Sequence, residues 1–130
     1  MSLRVGIDLV RVSRIAESLE HFGERFLHRI FTDAEVAYAT AAPAHTPERL
    51  AARFAAKEAA MKALALADGG IGWRQIEVQR SPSGDCSLLL HGDALAHARA
   101  SGVTEMAVSL SHEGDYATAI VIVHGPPKPP

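Results

Sequence analysis

The stretch Thr46-Pro47-Glu48-Arg49-Leu50-Ala51-Ala52-Arg53-Phe54-Ala55-Ala56-Lys57-Glu58-Ala59-Ala60-Met61-Lys62-Ala63 carries the signals of one long helix. Thr46 as cap, Pro47 at the first helical position and Glu48 in the first turn all suit a helix start. The spacing predicts a helix from Pro47 to about Ala67, ended by Gly69-Gly70. Arg53 and Lys57 stand four apart, as do Glu58 and Lys62, so each pair shares a helix face. Glu58 with Lys62 is then either an exposed ion pair worth about 0.3–0.5 kcal/mol, or a metal-binding carboxylate beside a phosphate-neutralising lysine. The alanines around them leave room for close approach by backbone or ligand.

Toward the N-terminus, Leu3, Val5, Ile7 and Leu9 alternate with Arg4, Gly6 and Asp8. A period of two predicts a strand with one buried face, Asp8 projecting from the other. A carboxylate inside Val5-Gly6-Ile7-Asp8-Leu9-Val10 needs solvent, an arginine or a cation, because burying it unpaired is costly. Ser13 is placed to cap a helix carrying Ile15, Ala16, Leu19 and Phe22. Gly23 breaks it before an amphipathic turn through Phe26, Ile30 and Phe31. Thr32-Asp33-Ala34-Glu35 has capping-box spacing and predicts a further short helix toward Ala41.

Toward the C-terminus, Ile76 to Arg80 and Cys86 to His91 flank Ser81-Pro82-Ser83-Gly84-Asp85, the pattern of a hairpin. Asp93 is placed to cap a helix stopping at Gly102. Met106 to Leu110 and Tyr116 to Val123 predict two final strands around a polar turn at His112 to Asp115. Ser109-Leu110-Ser111-His112 sets two hydroxyls on one strand face and a histidine at the strand end. Hairpin-linked strands with non-alternating helices favour an α+β fold, a mainly antiparallel sheet against one long and several short helices. One domain is expected over 1–124, with a mobile proline-rich tail over 125–130.

With 48% hydrophobic and 22% charged residues in 130, the composition is that of a globular domain. A net charge of −2 gives no overall attraction to nucleic acid, so an anion site has to be local. Cys86 is the single cysteine, which rules out an intramolecular disulfide and suits a reducing compartment; it reads as a small buried residue of a strand. No leader pattern and no membrane-length apolar run is present, so a cytoplasmic protein is expected. Neither a Walker A sequence nor a Gly-x-Ser-x-Gly elbow occurs, which argues against those nucleotide sites and against a serine hydrolase using Ser111 and His112.

Taken together, Gly6-Ile7-Asp8, the block Arg53-Phe54-Ala55-Ala56-Lys57-Glu58-Ala59-Ala60-Met61-Lys62-Ala63, and Ser109-Leu110-Ser111-His112 resemble the holo-acyl-carrier-protein synthases, small 4'-phosphopantetheinyl transferases. The middle block is the most specific, and the resemblance covers about Val5 to Val123. It implies transfer of the phosphopantetheine arm of coenzyme A to a carrier-protein serine, with release of adenosine 3',5'-bisphosphate. Asp8 and Glu58 would hold Mg2+, and Lys62 would lie by the phosphates. Arg53, Lys57, Ser111 and His112 would surround the pyrophosphate and nucleotide. Either Glu58 or a metal-bound water would act as general base. A homotrimer with active sites between subunits is implied, as is docking of an acidic acyl-carrier-protein helix on Arg14, Arg25 and Phe26. Arg4 departs from the family pattern, which often has glycine there.

Overall fold

The computed structural model describes residues 1–66 and 72–127. Its order is β1 (Ser2–Arg11), α1 (Val12–Phe22), α2 (Glu24–Ile30), α3 (Asp33–Thr40), α4 (Thr46–Leu64), β2 (Ile76–Arg80), β3 (Cys86–Leu90), α5 (Gly92–Ala100), β4 (Glu105–Glu113) and β5 (Tyr116–Gly125). Among the described residues, β1-β5-β4 form one antiparallel sheet and β2-β3 a two-stranded hairpin. The fold is α+β, as expected.

Helix α4 is the centre of the molecule. Leu50, Ala51, Ala55, Ala56, Ala59, Ala60, Ala63 and Leu64 are all fully buried, so the helix is covered on nearly every side. Its small side chains let β1 lie directly on it. A methyl group at Gly6 would sit 2.0 Å from the Ala59 carbonyl oxygen and 2.9 Å from the Ala63 nitrogen. Only glycine permits that approach.

This contact reverses the expected orientation of β1. Arg4, Gly6 and Val10 are buried against the helix, with Asp8 partly so, whereas Leu3, Val5, Ile7 and Leu9 are 60–72% exposed. Alternation was legible, but which side faced inward was not. The outer face continues onto β5, where Ile122 and Ile120 pair with Val5 and Ile7 and are themselves more than a third exposed.

Several boundaries differ from expectation. Helix α4 stops at Leu64 with Ala65 left-handed at φ 57°; Ala67 and Gly69-Gly70 lie outside the described residues. Thr46 is already helical and its hydroxyl donates to the Ala39 carbonyl at 2.8 Å. Ser13 does not cap α1. Asp115 does so from the β4–β5 turn, accepting from the Ser13 N–H at 2.9 Å and its hydroxyl at 2.6 Å. Asp93 lies in the first turn of α5, and the Gln75 side chain accepts from the Ala94 N–H at 2.9 Å. The turn after β4 is confined to Gly114-Asp115, which leaves His112 within the strand. The Thr32–Glu35 capping box forms as expected. Gly125 is still strand, paired with Ser2, and 128–130 are not described.

Candidate active site

Because Gly6 seats β1 on α4, Asp8, two residues along the same face, is carried to the flank of the helix where Glu58 and Lys62 project. The Lys62 ammonium donates to the Ile7 carbonyl at 2.9 Å and to Asp8 Oδ1 at 3.3 Å. Thr118 on β5 fixes the strand from its other side, its hydroxyl donating to the Asp8 carbonyl at 2.8 Å. Burial and then the Asp8 charge raise the Glu58 pKa, while Lys62 and Arg14 oppose the rise. Two carboxylates close enough to repel, bracketed by two cations, form one cluster at the β1–α4–α1 junction.

The donor set suits Mg2+, which takes few protein carboxylates and completes its shell with water and phosphate oxygens. The cost that the Asp8 charge adds to ionising Glu58 is what such an ion relieves. Among the described residues no three His, Cys, Asp or Glu side chains form an all-protein metal cage, so other ligands would come from water or substrate.

Arg53, Ser111 and His112 meet elsewhere, in a pocket of about 420 Å3 along the N-terminal half of α4. Tyr38 is its floor: the guanidinium carbons of Arg53, Arg49 and Arg80 lie 4.2, 4.3 and 5.6 Å from its ring centre. Burial, the largest cause, pulls the Arg53 pKa below its ordinary value. Its Nε is buried with no partner among the described residues. His112 Nδ1 lies 3.8 Å from Glu48 at the rim. Three arginines are thus gathered at one pocket, a local concentration of positive charge in a chain whose net charge is −2. Cys86, half-buried on β3 rather than fully enclosed, also lines this pocket.

Lys57 reaches neither place. It is fully buried, donating to Glu35 Oε1 at 2.7 Å, to the Trp73 carbonyl at 3.1 Å and to the Ile76 carbonyl. Glu35 in turn accepts from the Thr32 and Val78 N–H groups, both at 2.9 Å. With its ammonium spent on these bonds, Lys57 ties α3 and the start of β2 to α4, and its expected role around the pyrophosphate is not supported. Arg25 and Phe26 line a different groove of about 410 Å3 with Phe22, Arg29, Phe54 and Trp73. Phe54 and Trp73 stack there at 4.9 Å. Arg14 faces Glu58 instead. Sequence reasoning missed Arg49, Arg80 and Tyr38. Arg49 carried a usable signal, four residues before Arg53 on the same face; Arg80 and Tyr38 are gathered only by the tertiary fold.

Comparison with known proteins agrees with this architecture. Residues 4–121 match the family described as the 4'-phosphopantetheinyl transferase superfamily. The holo-acyl-carrier-protein synthase of Koribacter versatilis is 48% identical over 124 residues, covering 95% of this chain and 98% of that protein. That of Moorella thermoacetica is 47% identical, covering 93% of both. Among solved structures, the Chronobacterium ammoniagenes ACPS–CoA complex superposes with a TM-score of 0.87 at 33% identity, covering 98% of this chain and all of that one. The Helicobacter pylori synthase in complex with coenzyme A gives 0.80 at 26% identity, covering 92% and 99%. The chain belongs to the 4'-phosphopantetheinyl transferase superfamily and, within it, to the holo-acyl-carrier-protein synthases.

Proposed function

We propose that this enzyme transfers 4'-phosphopantetheine from coenzyme A to a serine of an apo acyl carrier protein and releases adenosine 3',5'-bisphosphate. The observation that carries the reading is the junction of Asp8, Glu58 and Lys62, with Glu58 made more basic by burial and by Asp8. Asp8 and Glu58 would hold Mg2+, which when bound supplies charge neutralisation to the pyrophosphate. Lys62, now on Asp8 and the Ile7 carbonyl, lies where its ammonium can turn to a phosphate oxygen. Glu58 accepts the serine proton, directly or through one water. The serine oxygen bonds to the β-phosphorus, the bridging P–O bond breaks, and the bisphosphate leaves with the electron pair. Positioning and electrostatics provide most of the rate.

The arginine-lined pocket suits the nucleotide end of coenzyme A, with Arg53, Ser111 and His112 as contacts. In a single chain this pocket and the carboxylate cluster have no residue in common. The exposed face of Leu3, Val5, Ile7, Leu9, Ile120 and Ile122 is wide enough to demand cover. A homotrimer joined through this sheet would bring one subunit's pocket to another's carboxylates. Arg14, Arg25 and Phe26 receive the acidic carrier helix, the groove of Phe54 and Trp73 taking its apolar side. A cytoplasmic setting fits the single free thiol.

The test is intact-mass analysis of an apo acyl carrier protein after incubation with this enzyme, coenzyme A and Mg2+, with a parallel sample in EDTA. The expected result is a gain of one phosphopantetheine, abolished by EDTA. No gain with any of several carriers would overturn the assignment.

A further inference from the structure

We propose that Cys86 is a modification site: its thiol exchanges with small anionic disulfides, and the mixed disulfide closes the pocket that takes the nucleotide. The proposal rests on the function above, and it deepens the account of that same pocket.

Cys86 opens β3 and pairs in register with Arg80, so the two side chains are neighbours on the hairpin. The turn between them contains Gly84 at φ 96°, where an added methyl group would meet Arg80 Nη2 at 3.2 Å; Gly84 and Arg80 both line the pocket with Cys86. Cys86 is also near enough to Arg53 for its charge, once formed, to favour the charged guanidinium. The thiol thus shares with Arg53 and Arg80 a pocket that Ser111 and His112 also line.

An independent sign that the pocket is built for a ligand is Arg53 itself. It is 5% exposed, lines the pocket, and keeps an Nε without a partner among the described residues. A buried donor of this kind costs free energy until something accepts from it. The same arginines that would take phosphate oxygens favour approach of an anionic reagent to a chain whose net charge of −2 would otherwise repel it.

In the exchange, the Cys86 thiolate attacks one sulfur of the disulfide and its proton passes to solvent. A new S–S bond forms, the reagent's own S–S bond breaks, and the second half leaves as a thiolate with the electron pair. Cys86 is oxidised and the reagent reduced, so no other oxidant is needed. A tripeptide-sized adduct at this position, such as glutathione disulfide would leave, fills space within the pocket of about 420 Å3 that the nucleotide requires.

The single cysteine makes the test direct. Folded enzyme is treated with dithiobis-nitrobenzoate, a dianionic disulfide, with and without saturating adenosine 3',5'-bisphosphate, which has no thiol to consume reagent. One equivalent of thiolate should be released, and the bisphosphate should slow release roughly tenfold or more, as expected when ligand and reagent compete for one pocket. Labelled enzyme should bind the bisphosphate at least roughly tenfold more weakly by calorimetry, with dithiothreitol restoring affinity. In Cys86→Ser the reagent should leave bisphosphate affinity where it was. Relative to free cysteine, the dianionic reagent should outpace neutral dithiodipyridine, and its advantage should shrink with salt.

Labelling at an equal rate under saturating bisphosphate, unchanged affinity after labelling, or no release from folded enzyme would each overturn the proposal. If untreated enzyme still modifies a carrier in any of those cases, the proposed function stands and only the role of Cys86 falls. If untreated enzyme neither binds bisphosphate nor modifies a carrier, both fall.

Discussion

Replacing Gly6 by alanine tests the contact on which the site is built. The added methyl group would lie 2.0 Å from the Ala59 oxygen and 2.9 Å from both the Ala59 carbon and the Ala63 nitrogen. All three are backbone atoms of α4, so no side chain can swing away. Ordinary contact begins at 3.4 Å, so strand and helix must part by about 1.4 Å. Overpacking a core costs about 1–3 kcal/mol where side chains can yield, which makes about 3 kcal/mol or more the expectation here. For a domain of this size the midpoint of thermal unfolding should fall by roughly 10 °C. The same displacement moves Asp8 away from Glu58 and Lys62, and a misplacement of about 1 Å costs roughly a hundredfold in rate. Gly114→Ala is the control, because its φ of 57° has no neighbour within 4 Å of the added carbon; it should lose only about 1 kcal/mol and keep its activity. Urea unfolding and the carrier mass assay at a temperature where both variants are folded give the two readouts. Gly6→Ala within 1 kcal/mol of wild type and fully active would refute the close seating of β1 on α4.

Asp8→Ala and Glu58→Ala should each abolish carrier modification while the protein remains folded by circular dichroism, and His21→Ala should do little; full activity in Glu58→Ala would remove the assigned site. Glu58→Gln should be inactive yet more stable at neutral pH. With its folded pKa raised, wild-type Glu58 contributes stability below its unfolded pKa and loses it as pH rises through the folded value. The gain in the variant should therefore vanish in unfolding titrations below the ordinary glutamate range, and equal or lower stability at neutral pH would contradict the raised pKa. Lys57→Met should unfold more easily by about 3–5 kcal/mol, since it strands the fully buried Glu35 carboxylate; a stable variant with weakened coenzyme A binding would return Lys57 to the phosphates. Under the proposed trimer, Val5→Asp combined with Ile7→Asp on the outer face of β1 should give monomers where the wild type sediments as a trimer, and a sedimentation coefficient equal to that of a trimeric wild type would place the interface elsewhere.

Local chemistry made part of this fold legible. The Thr32–Glu35 capping box, the β2–β3 hairpin around Gly84 and the helix containing Glu58 depend on residues close in sequence, and all three form. Caps supplied from afar were not legible. Nothing near Ser13 says that Asp115 will take its N–H, because that bond depends on how the β4–β5 turn meets α1. The inward turn of Lys57 was not legible for a different reason. Helix α4 is buried almost all round, so its pattern of apolar residues does not tell which flank will hold a site and which will face the protein interior.

What sets the rotation of α4 is its contact with Gly6. Ala59 and Ala63 form the line on which β1 rests. Each residue advances the helix by about 100°. Glu58 and Lys62 both precede a contact residue by one position, so both are carried to the same side of β1, where Asp8 meets them. Lys57 precedes Ala59 by two and is carried about 200° around, to Glu35 and the Trp73 carbonyl. The same seating explains the inverted strand: once its glycine side is committed to the helix, the apolar side of β1 can only face outward. One missing methyl group thus decides which lysine meets Asp8 and turns the hydrophobic face of the sheet outward.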